Sequence, residues 1–83
     1  MPLVIREESN GVVVEVVGRF DVLTAPAVKE ELVRLIDKGT ENLIVSLEKL
    51  DFVDSSGIGA LAVANRALTA AGRPPLAVAA PTK

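Results

Sequence analysis

Leu50-Asp51-Phe52-Val53-Asp54-Ser55-Ser56-Gly57-Ile58-Gly59 is where the chain passes from one kind of structure to another. Upstream, Leu43–Leu47 is a short apolar run, and Leu50 and Phe52 extend it towards Asp54, the signature of a strand. Downstream, residues from about Ser56 to Ala71 are dominated by alanine, the strongest helix former, and stop at Gly72, which reads as a helix with a glycine end. A strand feeding directly into a helix is the working unit of an α/β sandwich. The three polar residues at the junction have one immediate use. Side-chain oxygens of Asp54, Ser55 or Ser56 can take up first-turn N–H groups that a helix leaves unpaired, each such cap contributing about 1 kcal/mol.

Working outward towards the N-terminus, Leu3–Glu7 is a short strand followed by Ser9-Asn10-Gly11, whose Asn-Gly pair suits a type I′ hairpin turn. Val12–Val17 is apolar at Val12, Val14 and Val16 on one face and at Val13 and Val17 on the other, so it belongs inside a sheet, with Gly18 closing it. Thr24 or Asp21 can cap the next element, and Pro26 suits a first helical turn. Ala27–Lys38 repeats Val28, Leu32, Leu35 and Ile36 at helical spacing, and Gly39 supplies a stop. Towards the C-terminus, Arg73-Pro74-Pro75 is a rigid loop and Leu76–Ala80 a weaker last strand. The order β-β-α-β-α-β predicts a single α/β domain over 1–83. Its mixed sheet has about four strands, and right-handed crossovers place the helices on one face.

Composition removes most chemistries. The 83 residues contain no cysteine and no histidine, which excludes thiolate metal sites, disulfides and Ser-His-Asp triads. No catalytic, metal or cofactor-binding residue is expected. Tryptophan and tyrosine are absent and the net charge is −2, which argues against a nucleic-acid surface. The charge is also unevenly placed: all eleven acids lie at or before Asp54, and only Arg66, Arg73 and Lys83 follow it. No basic, apolar leader opens the chain, and Ile58–Ala71 is too short and too polar to span a bilayer, so a cytoplasmic protein without membrane contact is expected.

Two catalytic motifs fail at the junction. Gly57-Ile58-Gly59-Ala60-Leu61-Ala62 fits a G-x-G-x-x-A fingerprint, but the acid required about 20 residues later does not exist. A nucleophile elbow needs a glycine two positions before the serine and a histidine. What remains beside capping is modification, since a hydroxyl at a helix start is accessible and a phosphate is tolerated at the positive end of the helix. Along the second helix, Ile58, Leu61, Asn65 and Leu68 form the expected inner stripe. Ala60, Val63, Ala67, Ala70 and Ala71, with Arg66 at the margin, then form an outer side that is either simple helix propensity or a close-docking binding face.

Gly18-Arg19-Phe20-Asp21 with Thr24 and Ala25, followed by the apolar strand and the Asp54-Ser55-Ser56-Gly57-Ile58-Gly59 run, resembles the STAS family, and within it bacterial anti-sigma factor antagonists. The resemblance covers almost the whole chain. It implies that Ser55 accepts a phosphate, with Ser56 as runner-up, and that Asp21, Thr24, Asp54, Ser56, Gly57, Gly59, Val63 and Arg66 belong to the partner-binding and switch region. The implied protein is not an enzyme and brings no cofactor; ATP and Mg²⁺ belong to an anti-sigma factor with serine kinase activity, and a phosphatase reverses the mark. The alternative from the same resemblance is a STAS-type scaffold, transporter-associated or stressosome-like, without a phospho-switch. A nucleotide-binding module using the helix N-terminus is a third. Family members of this type usually continue into one or two further helices where this chain reads Pro81-Thr82-Lys83. A sheet apolar on both faces and covered on one leads to the expectation of a homodimer or an exchanged assembly.

Overall fold

The computed structural model describes residues 3–79. Its elements are β1 (Leu3–Glu8), β2 (Gly11–Phe20), α1 (Ala25–Asp37), β3 (Leu43–Val53), α2 (Ser55–Ala70) and β4 (Ala77–Ala79). They form one mixed sheet in the order β1-β2-β3-β4, with β1 antiparallel to β2 and the pairs β2–β3 and β3–β4 parallel. The two helices pack against each other on one face of the sheet. Val14, Val16, Leu43, Val45 and Leu47 from the sheet meet Val28, Leu32, Leu35 and Ile36 from α1 and Ala60, Ala64 and Leu68 from α2 in a single core. The architecture is the one the apolar periodicities predict.

Local differences have physical causes. The β1–β2 hairpin forms, but Glu8 pairs with Gly11, so Ser9 and Asn10 make the turn and Asn10 keeps a negative φ; the type I′ turn is not adopted. Gly18 does not close β2. It sits inside the strand at φ 83°, a conformation glycine adopts without steric cost, and the strand runs on to Phe20. Opposite it, β3 uses two more residues than β2 between the Val13–Ile44 and Phe20–Val53 pairs, so β3 carries two bulges. Those bulges break the side-chain alternation. Leu47 and Leu50, three residues apart, both pack on the core, and Phe52 and Val53 are delivered to the surface. β4 is described over Ala77–Ala79, and Ala80 and the Pro81-Thr82-Lys83 ending lie outside the described residues.

The face away from the helices is not simply apolar. Val4 and Val17 are exposed there, but Glu15 is buried and is met by Arg6 Nη1 at 3.3 Å, and Ser46 is buried beside it in the register. The cross-strand ion pair and the neighbouring valines therefore share that surface.

Candidate functional site

Both helix starts and the ends of β2 and β3 meet at one pole. Asp54, the last residue before α2, donates its N–H to Phe20 O at 3.2 Å, which ties the end of β3 to the end of β2. Its Oδ1 accepts from the N–H of Ser56 at 2.8 Å and of Gly57 at 3.4 Å. Asp54 is thus the cap of α2, and the serines occupy the first two helical positions. Ser55 is exposed and Ser56 half-buried. Gly57 is buried against Phe20: a Cβ there would stand 2.7 Å from Phe20 O and 2.8 Å from its Cγ, so only glycine permits this approach of helix to strand.

The β2–α1 loop is organised by Asp21. Arg19 Nε donates to Asp21 Oδ2 at 3.0 Å, and Asp21 Oδ1 accepts from the N–H groups of Leu23 (3.1 Å) and Thr24 (3.3 Å). The Arg19 guanidinium, opposed by partial burial and aided by the two backbone donors, holds the Asp21 carboxyl below its usual value. Thr24 stands at the cap position of α1, but its hydroxyl makes no bond to the helix. It accepts from Asp21 N–H at 3.0 Å and donates to Arg19 O at 2.8 Å, and Asp21 O takes the Ala25 N–H at 2.8 Å. With the Asp21 carboxylate and the Thr24 hydroxyl both spent on holding the loop together, Val22 and Leu23 are left outside at 65% and 85% exposure. Arg19 also lies over the Phe52 ring, 4.2 Å from its centroid.

The faces of α2 differ from expectation. Gly57, Ala60, Ala64 and Leu68 are buried, Ala67 and Val63 are half-buried, and Ile58 (56% exposed) and Asn65 face solvent. The inner stripe is the small-residue one because α2 approaches α1 and Phe20 closely, and a larger side chain at 57, 60 or 64 would hold it off. Of the expected inner stripe, Leu68 and Leu61 do pack on the core and Ile58 and Asn65 do not; Ala60 and Ala67 leave the expected outer side for the core. Asn65 Oδ1 instead accepts the Leu76 N–H at 2.9 Å, fixing the segment that leads to β4.

Of the residues singled out by sequence, Asp21, Thr24, Asp54, Ser55, Ser56, Gly57 and Gly59 gather at this pole. Val63 and Arg66 lie further along α2, on a groove shared with α1. Sequence reasoning missed the exposed apolar set Val22, Leu23, Phe52, Val53 and Ile58; the readable signal was Val22-Leu23, two apolar residues inside an Asp-x-x-Thr turn with no helical or strand period. Chemically, the pole offers an accessible hydroxyl next to a carboxylate, Asp54, whose Oδ1 is occupied by the first-turn N–H groups, with exposed apolar side chains on the adjoining segments. The N–H groups of Ser56 and Gly57 that could hold a nucleotide phosphate already donate to Asp54, which weighs against the nucleotide-module reading. Among the described residues no group of acidic side chains is arranged to hold a metal, and no helix is long and apolar enough to cross a membrane.

A mixed β-β-α-β-α-β sheet with a capped Asp-Ser-Ser-Gly helix start defines a STAS domain, and the STAS family model matches residues 3–79. The chain belongs to the STAS domain family. It is 33% identical over 55 residues to an anti-sigma-B factor antagonist of Bacillus subtilis (strain 168), an alignment covering 66% of this chain and 50% of that one. The chain spans about half the length of the curated relatives it matches. Among solved structures, the anti-sigma factor antagonist SpoIIAA in its unphosphorylated form superposes with a TM-score of 0.76 at 23% identity, over 92% of this chain and 70% of that one. The Bacillus cell fate determinant SpoIIAA in its phosphorylated form gives 0.71 at 23% identity, over 90% and 68%. At that identity these structures speak to the fold.

Proposed function

We propose that this STAS domain is an anti-sigma factor antagonist, a non-enzymatic regulator that binds an anti-sigma factor through the Ser55 pole. The observation that carries the reading is the exposed Ser55 hydroxyl at the first position of α2, beside the Asp54 carboxylate and within an exposed apolar set of Leu23, Ile58, Phe52 and Val53. Docked, those apolar groups supply buried area and the hydroxyl fits as a small neutral contact. A kinase activity of the anti-sigma factor transfers the γ-phosphoryl group of ATP to Ser55 Oγ, with ADP leaving and the hydroxyl proton released. The mark adds about −1.5 to −2 charges next to Asp54. A loss of about 3 kcal/mol from repulsion and desolvation weakens binding on the order of a hundredfold, enough for release. A phosphatase restores the binding form. Cytoplasmic action accompanies this reading, as does self-association through the uncovered sheet face, for which sedimentation equilibrium over a tenfold concentration range is the test.

Intact-mass and fragment analysis after incubation with the cognate anti-sigma factor and ATP tests the modification. A single phosphate on Ser55 is expected; phosphate on Ser56 alone moves the site, and none on either removes the switch. Calorimetric titration then separates the two STAS readings. Ser55→Asp should bind more weakly than wild type, and Ser55→Ala should bind yet resist inactivation. Equal affinity of wild type and Ser55→Asp favours the scaffold without a phospho-switch.

A further inference from the structure

The groove between α1 and α2 has a volume of about 460 Å³ and opens beside Ser56. Pro26 and Lys29 line it from α1, and Gly59, Ala62, Val63 and Arg66 from α2. Lys29 and Arg66 are exposed, and neither forms an ion pair among the described residues. No acidic side chain lines the groove. Of the two acids that directly follow Lys29 on α1, Glu31 is engaged by Arg34 and Glu30 forms no ion pair among the described residues, and no acid follows Asp54 in the chain. A chain of net charge −2 thus presents a groove whose charged groups are both positive.

Gly59 makes the same surface chemically specific. It lies within α2, where glycine is, proline aside, the poorest helix former. Unlike Gly57, it is not required by the chain's own packing: a Cβ added there meets nothing within 4 Å. The bare position leaves the groove floor open to a neighbouring backbone. Two helices with a shallow, small-residue furrow between them and a cation on each side match the shape and charge of a third helix, apolar along one face and acidic at its margins. We propose that the groove seats an acidic amphipathic helix of the protein partner, its carboxylates on Lys29 and Arg66 and its small apolar side chains over Gly59, Ala62 and Val63. The assignment extends the antagonist reading by naming the chemistry of the partner surface, and rests on that reading for the partner's existence.

The probe is a capped helical peptide with glutamates flanking an alanine-leucine face, titrated into the ¹⁵N-labelled domain, beside a control peptide with glutamine for glutamate. Saturable shifts at Lys29, Gly59, Ala62, Val63 and Arg66 are expected with the acidic peptide. The Lys29→Glu, Arg66→Glu double variant should weaken them by about tenfold, the scale of two rim ion pairs. Gly59→Ala should raise the thermal midpoint and yet weaken the peptide, a combination that no purely structural role of Gly59 produces. Equal binding of the glutamine peptide, shifts confined to other surfaces, or stronger shifts at the same amides from inorganic phosphate or ATP would each overturn the proposal. Against the anti-sigma factor, undiminished affinity of the double variant overturns the groove and leaves the Ser55 reading standing. Absence of anti-sigma binding by wild type, with the peptide still seated in the groove, overturns the reading of function and not the groove.

Discussion

Replacing Gly57 by alanine puts a Cβ where the structure has 2.7 Å to Phe20 O and 2.8 Å to Phe20 Cγ. Neither neighbour can give way cheaply. Phe20 is fully buried, and its carbonyl is held by the Asp54 N–H at 3.2 Å. Two contacts this short against immobile neighbours put the overpacking at the upper end of its usual range, about 2–3 kcal/mol, against about 1 kcal/mol recovered from alanine's better helix propensity. The net expectation is a loss of about 1–2 kcal/mol, which in a domain of this size lowers the thermal midpoint by roughly 5–15 °C. Gly59→Ala is the internal control: the same chemical change two residues on, with open space above it, should stabilise by about 0.5–1 kcal/mol. The chain has no tryptophan or tyrosine, so urea unfolding followed by far-ultraviolet circular dichroism is the suitable assay. The midpoints should move in opposite directions with unchanged slope. Gly57→Ala as stable as wild type would show that α2 does not rest on Phe20 as described.

Three further outcomes follow from the same pole. Asp54→Ala removes the acceptor for the Ser56 and Gly57 N–H groups and should cost about 1 kcal/mol in urea unfolding, with Asp54→Ser recovering most of it; an unchanged Asp54→Ala midpoint contradicts the cap. Because Arg19 holds the Asp21 carboxyl below its usual value, the stability this provides is present above the ordinary carboxylate range and is lost as pH falls through the lowered value. Thermal midpoints of wild type and Asp21→Asn should therefore differ at neutral pH and converge in acid, and a gap independent of pH contradicts the ion pair. Leu23→Glu and Ile58→Glu should each leave stability within about 0.5 kcal/mol while weakening anti-sigma binding, and full affinity in both would place the docking surface elsewhere.

The element order, the strand-to-helix junction and the core residues of α1 were legible because each rests on a strong local pattern: a valine run apolar on both faces in β2, a charged face opposite Val28, Leu32, Leu35 and Ile36, and a glycine after each helix. The phase of α2 was not. Its apolar residues run all round, and the inference that the largest go inside holds for Leu61 and Leu68 but fails for Ile58 in the first turns, where Gly57, Ala60 and Ala64 let the helix approach closely. The bulges in β3 were equally hidden. They are set by pairing with β2 around Gly18, a long-range fit that no window of sequence contains, and they turn Phe52 and Val53 outward to the candidate site. Ser55 itself stood out through its motif, whereas the apolar set around it emerged from these tertiary effects.

β4 pairs with β3 at Ile44, Val45 and Ser46, so this part of β3 is held by hydrogen bonds on both sides. From Lys49 to Val53 its described pairing is with β2 alone, and that ladder is interrupted by bulges. The strand therefore has a clamped root and a hinged tip. Opening the root breaks two ladders and the valine core; opening the tip breaks one irregular ladder and exposes residues already half in water. Amide exchange should therefore run faster from Lys49 to Phe52 than from Ile44 to Ser46, while the Asp54 N–H on Phe20 O pins the junction with α2 itself.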